Sequence, residues 1–159
     1  MFWEGIDVKI YSFGGKDVIK GALLDFMKSI KDDWNYITPE ELYKEKDKYF
    51  LLDIRDEETY SKGHISGSEN IYWQDILKDE NLERLPKDKK IVLICYVGHT
   101  SSQILVVLRL LGYDVISLKF GMGISPVKGV PVAGWLDYGY EVTEETEETE
   151  ETEEANENN

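Results

Sequence analysis

Cysteine is almost absent: Cys95 is the only one in 159 residues. That excludes an intramolecular disulfide and any multi-cysteine zinc or iron–sulfur site. Basic residues are scarce relative to acidic ones, 18 against 32, for a net charge of −14. A general basic surface for nucleic acid is therefore not expected. No apolar stretch approaches the roughly 20 residues of a membrane-spanning helix. The opening stretch, MFWEGIDVKIYSFGG, lacks a basic start, a long apolar centre and a small-residue cleavage site, so it does not read as a signal peptide. The default expectation is a cytoplasmic protein, with a mature exported form left open.

What is present suits one domain of ordinary size. A core of that size removes roughly two-thirds of the unfolded chain's surface from water. The charge is unevenly placed. Residues 143–154 are four copies of Thr-Glu-Glu, and the segment 143–159 holds nine glutamates and no basic residue. Without it the net charge is −5, ordinary for a soluble domain. A block this acidic and free of aromatics buries too little apolar surface to offset its ordering entropy. It is expected to be a disordered, solvating tail, an interaction role being the alternative.

Between these ends the chain alternates strands and short helices. Val18, Ile19, Ala22, Leu23, Phe26, Met27 and Ile30 predict an amphipathic helix over 17–30 with Asp17 as N-cap. Tyr36-Ile37 is a short strand. After it, Thr38, Pro39 and Glu41 make a capping box for a helix running to Glu45. Strands follow at 49–54, 69–72, 91–96 and 114–119. Short helices are expected at 56–60 and 75–77, a longer one at 101–111 ended by Gly112, and a last one at 135–138. The run Ile91 to Tyr96 lacks alternation, as in a strand buried on both faces. The pattern predicts an α/β fold: an open, mainly parallel five-stranded sheet with helices on both faces, plus an N-terminal helix. The division expected is an arm and helix over 1–35, the domain over 36–142 and the tail over 143–159.

Ligands of such sheets sit outside the carboxyl ends of the strands, and Cys95 stands at that end of the most apolar strand. The segment Cys95-Tyr96-Val97-Gly98-His99-Thr100-Ser101 then leads into a helix. Gly98 permits the positive φ of a tight turn. Loop amides and the helix N-terminus can converge on the sulfur, making an anion cradle that favours the thiolate, the nucleophilic form. Thr100 and Ser101 add hydroxyls. The plain alternative is a small buried core residue.

These residues carry a resemblance. The chain reads Asp53-Ile54-Arg55, then Tyr60-Ser61-Lys62-Gly63-His64-Ile65-Ser66-Gly67-Ser68-Glu69-Asn70-Ile71, then the cysteine loop, and ends on Trp135, Gly139 and Val142. Over roughly 36–142 it resembles a single-domain rhodanese, with Ser68 where an alanine is usual and Glu141 where a proline is. Its loop is similar to the Cys-Tyr-x-Gly-x-Thr branch, which has Thr100 where thiosulfate-using members usually carry arginine. About nine residues are extra between Gly121 and Trp135, where they would form a lip over the pocket.

The resemblance implies a sulfurtransferase. Cys95 takes a sulfane sulfur from a donor (thiosulfate, polysulfide or persulfide) and passes it to cyanide, a thiol or a protein thiol, with no cofactor and no metal. It implies substrate contacts from Tyr96, Val97, Gly98, His99, Thr100 and Ser101. Asp53 and Arg55 are expected to brace the pocket wall as an ion pair, or to bind donor directly. His64 is expected to tie a turn together through its ring nitrogens. The alternatives are a non-turnover persulfide carrier or a redox-sensing module. A cysteine phosphatase or arsenate reductase is disfavoured, because those loops need an arginine to hold a dianion and Cys95 to Ser101 contains none.

Overall fold

The computed structural model describes residues 15–30, 32–123 and 133–145. The elements in order are α1 (Gly15–Ser29), β1 (Tyr36–Ile37), α2 (Pro39–Glu45), β2 (Phe50–Asp53), α3 (Glu57–Ser61), β3 (Ser68–Asn70), α4 (Asp79–Arg84), β4 (Ile91–Ile94), α5 (His99–Leu110) and β5 (Val115–Leu118). A 3-10 turn, Lys46–Lys48, continues α2, and another spans Leu136–Tyr138. The five strands form one sheet in the order β1-β5-β4-β2-β3, every pairing parallel. All five carboxyl ends therefore lie along one edge.

Strand alternation divides the core between the two faces of the sheet. Leu52, Ile91, Leu93, Cys95 and Val115 point to one side, where they meet Ile104, Leu105 and Leu108 of α5. Leu51, Val92, Ile94, Ile116 and Leu118 point to the other, where Leu42 of α2, Ile65, Met122 and Trp135 cover them. Helices thus lie on both faces, as the alternation of elements predicts. Helix α2 starts at the expected capping box. Glu41 N–H donates to Thr38 Oγ1 (3.2 Å) and Thr38 N–H donates to Glu41 Oε2 (3.0 Å), with Pro39 at the first turn. The hydrogen bond from the Thr38 backbone holds the Glu41 carboxyl below its usual range.

Several local expectations shift. Helix α1 already includes Gly15, so Asp17 lies in its first turn and is not its cap. Its apolar stripe is not core: Val18 is 71% exposed, Met27 62% and Ile19 47%. The helix rests on α5, which with α4 already covers that face of the sheet, and only Phe26 reaches the core cluster. The expected helix at 75–77 is a turn, and the helix lies at Asp79–Arg84. The sequence Asp79 to Arg84 has one apolar residue, Leu82, and its N-cap Lys78 offers no side-chain acceptor. The helix expected at 101 begins at His99, with Gly98 as N-cap at φ 87°. Ser68, in place of alanine, is buried with a hydroxyl that has no hydrogen-bond partner among the described residues.

The domain's closing edge reaches into the acidic segment. His64 and Thr143 exchange both backbone hydrogen bonds at 2.8 Å, and Glu145 N–H donates to Ser61 O at 3.0 Å. Residues 146–159 lie outside the described residues, as do residues 1–14 and the insertion at 124–132 that is expected to form the lip. Two truncations should therefore differ. Residues 146–159 are acidic and free of aromatics and bury too little apolar surface to support the fold, so ending the chain after Glu145 is expected to leave the melting temperature unchanged. Ending it after Val142 removes three backbone hydrogen bonds worth about 0.5–1.5 kcal/mol each and should lower it by several degrees. Melting curves of the two chains check this.

Candidate active site

Strand β4 is the central strand of five, and Cys95 follows its last residue. The backbone there is held from the next strand's loop: Met122 N–H donates to Cys95 O (2.9 Å) and Gly123 N–H to Tyr96 O (3.1 Å). Gly121 permits this approach, since a Cβ on it would stand 2.2 Å from Cys95 O. The loop then turns at Gly98, whose N–H donates to Cys95 Sγ at 3.1 Å. A residue with a Cβ would be strained at that φ and would press on the Phe120 backbone at 3.3 Å.

A hydroxyl cluster stands behind the sulfur. Cys95 Sγ lies 3.3 Å from Ser101 Oγ, to which the thiol donates. Ser101 Oγ donates to Gly98 O (3.1 Å) and lies 2.7 Å from Ser117 Oγ. Ser102 Oγ donates to the same Gly98 carbonyl at 2.6 Å. When the sulfur is a thiolate, the Ser101 hydroxyl can rotate to donate to it, because Ser102 keeps Gly98 O satisfied. The sulfur thus has two donors within reach, one amide and one hydroxyl, in a buried setting where such bonds are strongest. Among the loop amides, Gly98's is the one that reaches it, a smaller cradle than the sequence leads one to expect.

In front of the sulfur is a cavity of about 200 Å³. Among the described residues, Ile54, Arg55 and Asp56 from the end of β2, Tyr72 and Trp73 from beyond β3, and Cys95, Tyr96 and Thr100 line it. Larger hollows lie beside β1 and between α1 and α5. Neither is lined by Cys95, the chain's one cysteine.

The wall residues are fixed by an ion pair. Arg55 Nε donates to Asp53 Oδ1 (2.9 Å) and Oδ2 (3.0 Å), and Nη2 to Oδ2 (2.6 Å), with the side chains 1% and 0% exposed. Nη2 also donates to Gly63 O at 2.9 Å, and Asn70 Nδ2 donates to the carbonyls of both Asp53 and Arg55 at 3.0 Å. The Arg55 guanidinium carbon sits 5.9 Å from the centre of the Tyr96 ring. At the rim, Tyr96 donates its hydroxyl to Asp56 Oδ2, and Thr59 donates to Asp56 from both N–H and Oγ1 at 2.9 Å. The Tyr96 hydrogen bond holds the Asp56 carboxyl below its usual range, against the opposing effect of burial. Burial, and then the hydrogen bond to Asp56, pushes the Tyr96 phenol up.

The residues singled out in the sequence thus divide. Cys95, Tyr96, Thr100 and Arg55 meet at one cavity. Gly98 and Ser101 touch the sulfur from behind, and Ser101 is fully buried. Asp53 lies behind Arg55, fully buried. Val97 does not line the cavity. His99 is exposed at the head of α5 and has no side-chain contact with the sulfur among the described residues. His64 ties its turn through Nδ1 to Tyr60 O (3.1 Å) and stacks on the Tyr60 ring.

Sequence reasoning passed over Asp56, Tyr72, Trp73 and Ser117. The first three stand just beyond strand ends, positions that a parallel sheet directs to its ligand edge. Ser117, inside β5, carries no such signal.

The family model described as Rhodanese-like domain matches residues 38–123. The chain is 29% identical over 119 residues to a protein named tRNA sulfurtransferase from Pyrobaculum aerophilum, covering 73% of this chain and 24% of that one. It is 32% identical over 76 residues to putative sulfurtransferase YtwF of Bacillus subtilis, covering 48% of this chain and 72% of that one. The match thus spans about a quarter of the archaeal relative's length and most of the bacterial one's. Among solved structures, a rhodanese-related protein from Thermoplasma volcanium superposes with a TM-score of 0.58 at 26% identity, over 69% of this chain and 98% of that one.

Proposed function

The chain belongs to the rhodanese-like domain family, and on that premise we propose that it is a sulfurtransferase that carries sulfane sulfur as a persulfide on Cys95. One observation carries this reading: Cys95, the sole thiol, is among the residues lining the cavity, with Gly98 N–H donating to its sulfur and Ser101 Oγ 3.3 Å from it. The thiolate attacks the outer sulfur of the donor, the donor's sulfur–sulfur bond breaks, and its remainder leaves with the electron pair. With thiosulfate the leaving group is sulfite. The sulfur now bound to Cys95 is held at the cavity that Thr100 also lines. An acceptor thiolate or cyanide then takes it and regenerates Cys95. Each step is a displacement at sulfur, so atoms and electrons balance without a cofactor.

The test is intact mass after separate incubation with thiosulfate, polysulfide and cysteine persulfide, followed by turnover with cyanide or a free thiol. A gain of one sulfur atom on Cys95, released by the acceptor, supports the reading. An unmodified mass with every donor overturns it. Loading without release to any free acceptor would instead mark a carrier.

Thr100 bears on donor choice. It offers one neutral hydroxyl where an arginine would offer a charged fork. Charge-assisted hydrogen bonds contribute roughly 1.5–3 kcal/mol against about 1 for neutral ones. The difference, about 0.5–2 kcal/mol, corresponds to a factor of roughly 2–30. Thr100→Arg is therefore expected to raise kcat/KM for thiosulfate by that factor while changing small persulfide donors little. Steady-state kinetics on the folded variant check it, and an unchanged thiosulfate rate would exonerate Thr100.

A further inference from the structure

The cavity in front of Cys95 has a charge and an aromatic character that the transfer reaction itself does not require. Arg55 is its one cationic lining residue among those described, and that guanidinium is 1% exposed and bound on two edges by the buried Asp53 carboxylate and Gly63 O. Its charge is matched before any substrate arrives. Asp56, by contrast, forms no ion pair among the described residues: its contacts there are the hydroxyl of Tyr96 and the N–H and hydroxyl of Thr59, and the Lys62 ammonium, bound to Glu58, reaches it only through longer-range attraction. Those neutral donors fix the carboxylate and leave its negative charge at the rim. Three aromatic rings, Tyr72, Trp73 and Tyr96, share the same wall. Tyr72 and Trp73 meet edge to face at 5.9 Å, each about a third exposed. A carboxylate beside aromatic faces is the chemistry that recognises an ammonium group. A dianion in the same space meets a like charge.

We infer that the preferred sulfur donor carries a primary ammonium close to its sulfane sulfur, as an aminoalkyl hydropersulfide does, with Asp56 and the Tyr72–Trp73–Tyr96 rings as the specificity-determining wall. The inference rests on the sulfurtransferase reading and names its substrate class. In the step, Cys95 Sγ bonds to the terminal sulfur of the hydropersulfide and the internal sulfur–sulfur bond breaks. The aminoalkyl thiolate departs with the electron pair, and the proton of the hydropersulfide stays on the transferred sulfur. No oxidant or reductant enters. The ammonium neutralises the Asp56 charge throughout and stays near the thiolate as it departs.

The probes are cysteamine persulfide and N-acetylcysteamine persulfide, which share a carbon skeleton next to sulfur but differ in charge. The readout is the ratio of their kcat/KM values in the wild type, divided by the same ratio in Asp56→Asn. Intrinsic differences between the two leaving thiols cancel in that quotient. Asparagine keeps the N-cap of α3 and an acceptor for Tyr96, and Asp56→Ser, also a capping residue, serves as the second variant. The quotient is expected to be about 5–30 for one charge pair at a partly solvated wall. It should shrink several-fold between about 0.05 and 0.5 M salt, as screening strengthens. A quotient near one in both variants overturns the inference while leaving sulfur transfer intact. Failure of both probes to add sulfur to Cys95 in the wild type would overturn the transfer reading itself.

Discussion

Replacing Cys95 by serine is expected to leave a folded protein that transfers no sulfur. The chain has no second thiol to substitute, and an alkoxide is not available near neutral pH as a nucleophile toward sulfane sulfur. Folding should survive because serine suits the surroundings. Its hydroxyl can accept from Gly98 N–H and donate to Ser101 Oγ, the two groups that now contact the sulfur. Cys95 is 2% exposed within a packed cluster, so the smaller side chain leaves a small gap. A cost of about 1 kcal/mol is expected, with no orphaned polar group. Turnover and intact mass read the chemistry, and a melting curve reads the fold. Transfer retained in the folded variant would show that the sulfur travels by another route.

The second large effect is on stability, at the pair behind the wall. Asp53→Asn removes a charge from a pair whose side chains are 1% and 0% exposed, leaving a buried guanidinium without its counter-ion. Breaking a buried pair from one side costs about 3–5 kcal/mol. That is a large fraction of the stability of an ordinary domain, roughly 5–15 kcal/mol. The melting temperature should fall by roughly 10–20 °C. Replacing both partners, as Asp53→Leu with Arg55→Met, should recover only part of that loss: no uncompensated charge remains, but the Arg55 backbone N–H loses its acceptor Asp53 Oδ1 and Gly63 O loses its donor. Transfer should stay impaired in the double variant, since Arg55 also packs beside Tyr96 and lines the cavity. Asp53→Asn with an unchanged melting temperature would mean that the pair contributes little to the fold.

The two experiments probe different links. On these expectations Cys95 is required for transfer but replaceable in the fold, while Asp53 does not line the cavity and holds Arg55. Tyr96 belongs to both classes. Its ring stands by the guanidinium, and its hydroxyl fixes Asp56 at the rim. Loss of that hydroxyl should therefore alter donor preference before it alters stability.

Much was legible in the residues alone. The parallel sheet follows from apolar runs of strand length separated by segments too long for hairpins. The box at Thr38, Pro39 and Glu41 is local chemistry, complete within four residues, and needs no tertiary help. Cys95 stood out because a strand end, a glycine that takes positive φ and a helix start are adjacent in the chain.

The tertiary structure alone decided the features that depend on which elements become neighbours. The stripe on α1 has the periodicity of a core face, yet most of its residues stay exposed and only Phe26 reaches the core, because α5 and α4 already occupy that side of the sheet. Periodicity records that a helix has an apolar side, not that a partner remains to cover it. Ser117 reads as one more strand residue, and it joins the sulfur's hydroxyl cluster only because β5 pairs with β4. Asp56, Tyr72 and Trp73 lie far from Cys95 in sequence. They reach it because parallel pairing of β3, β2 and β4 brings three carboxyl ends to one edge. The loop that carries Cys95 is written in contiguous residues, whereas the wall of its cavity is assembled from segments that meet only when the sheet forms.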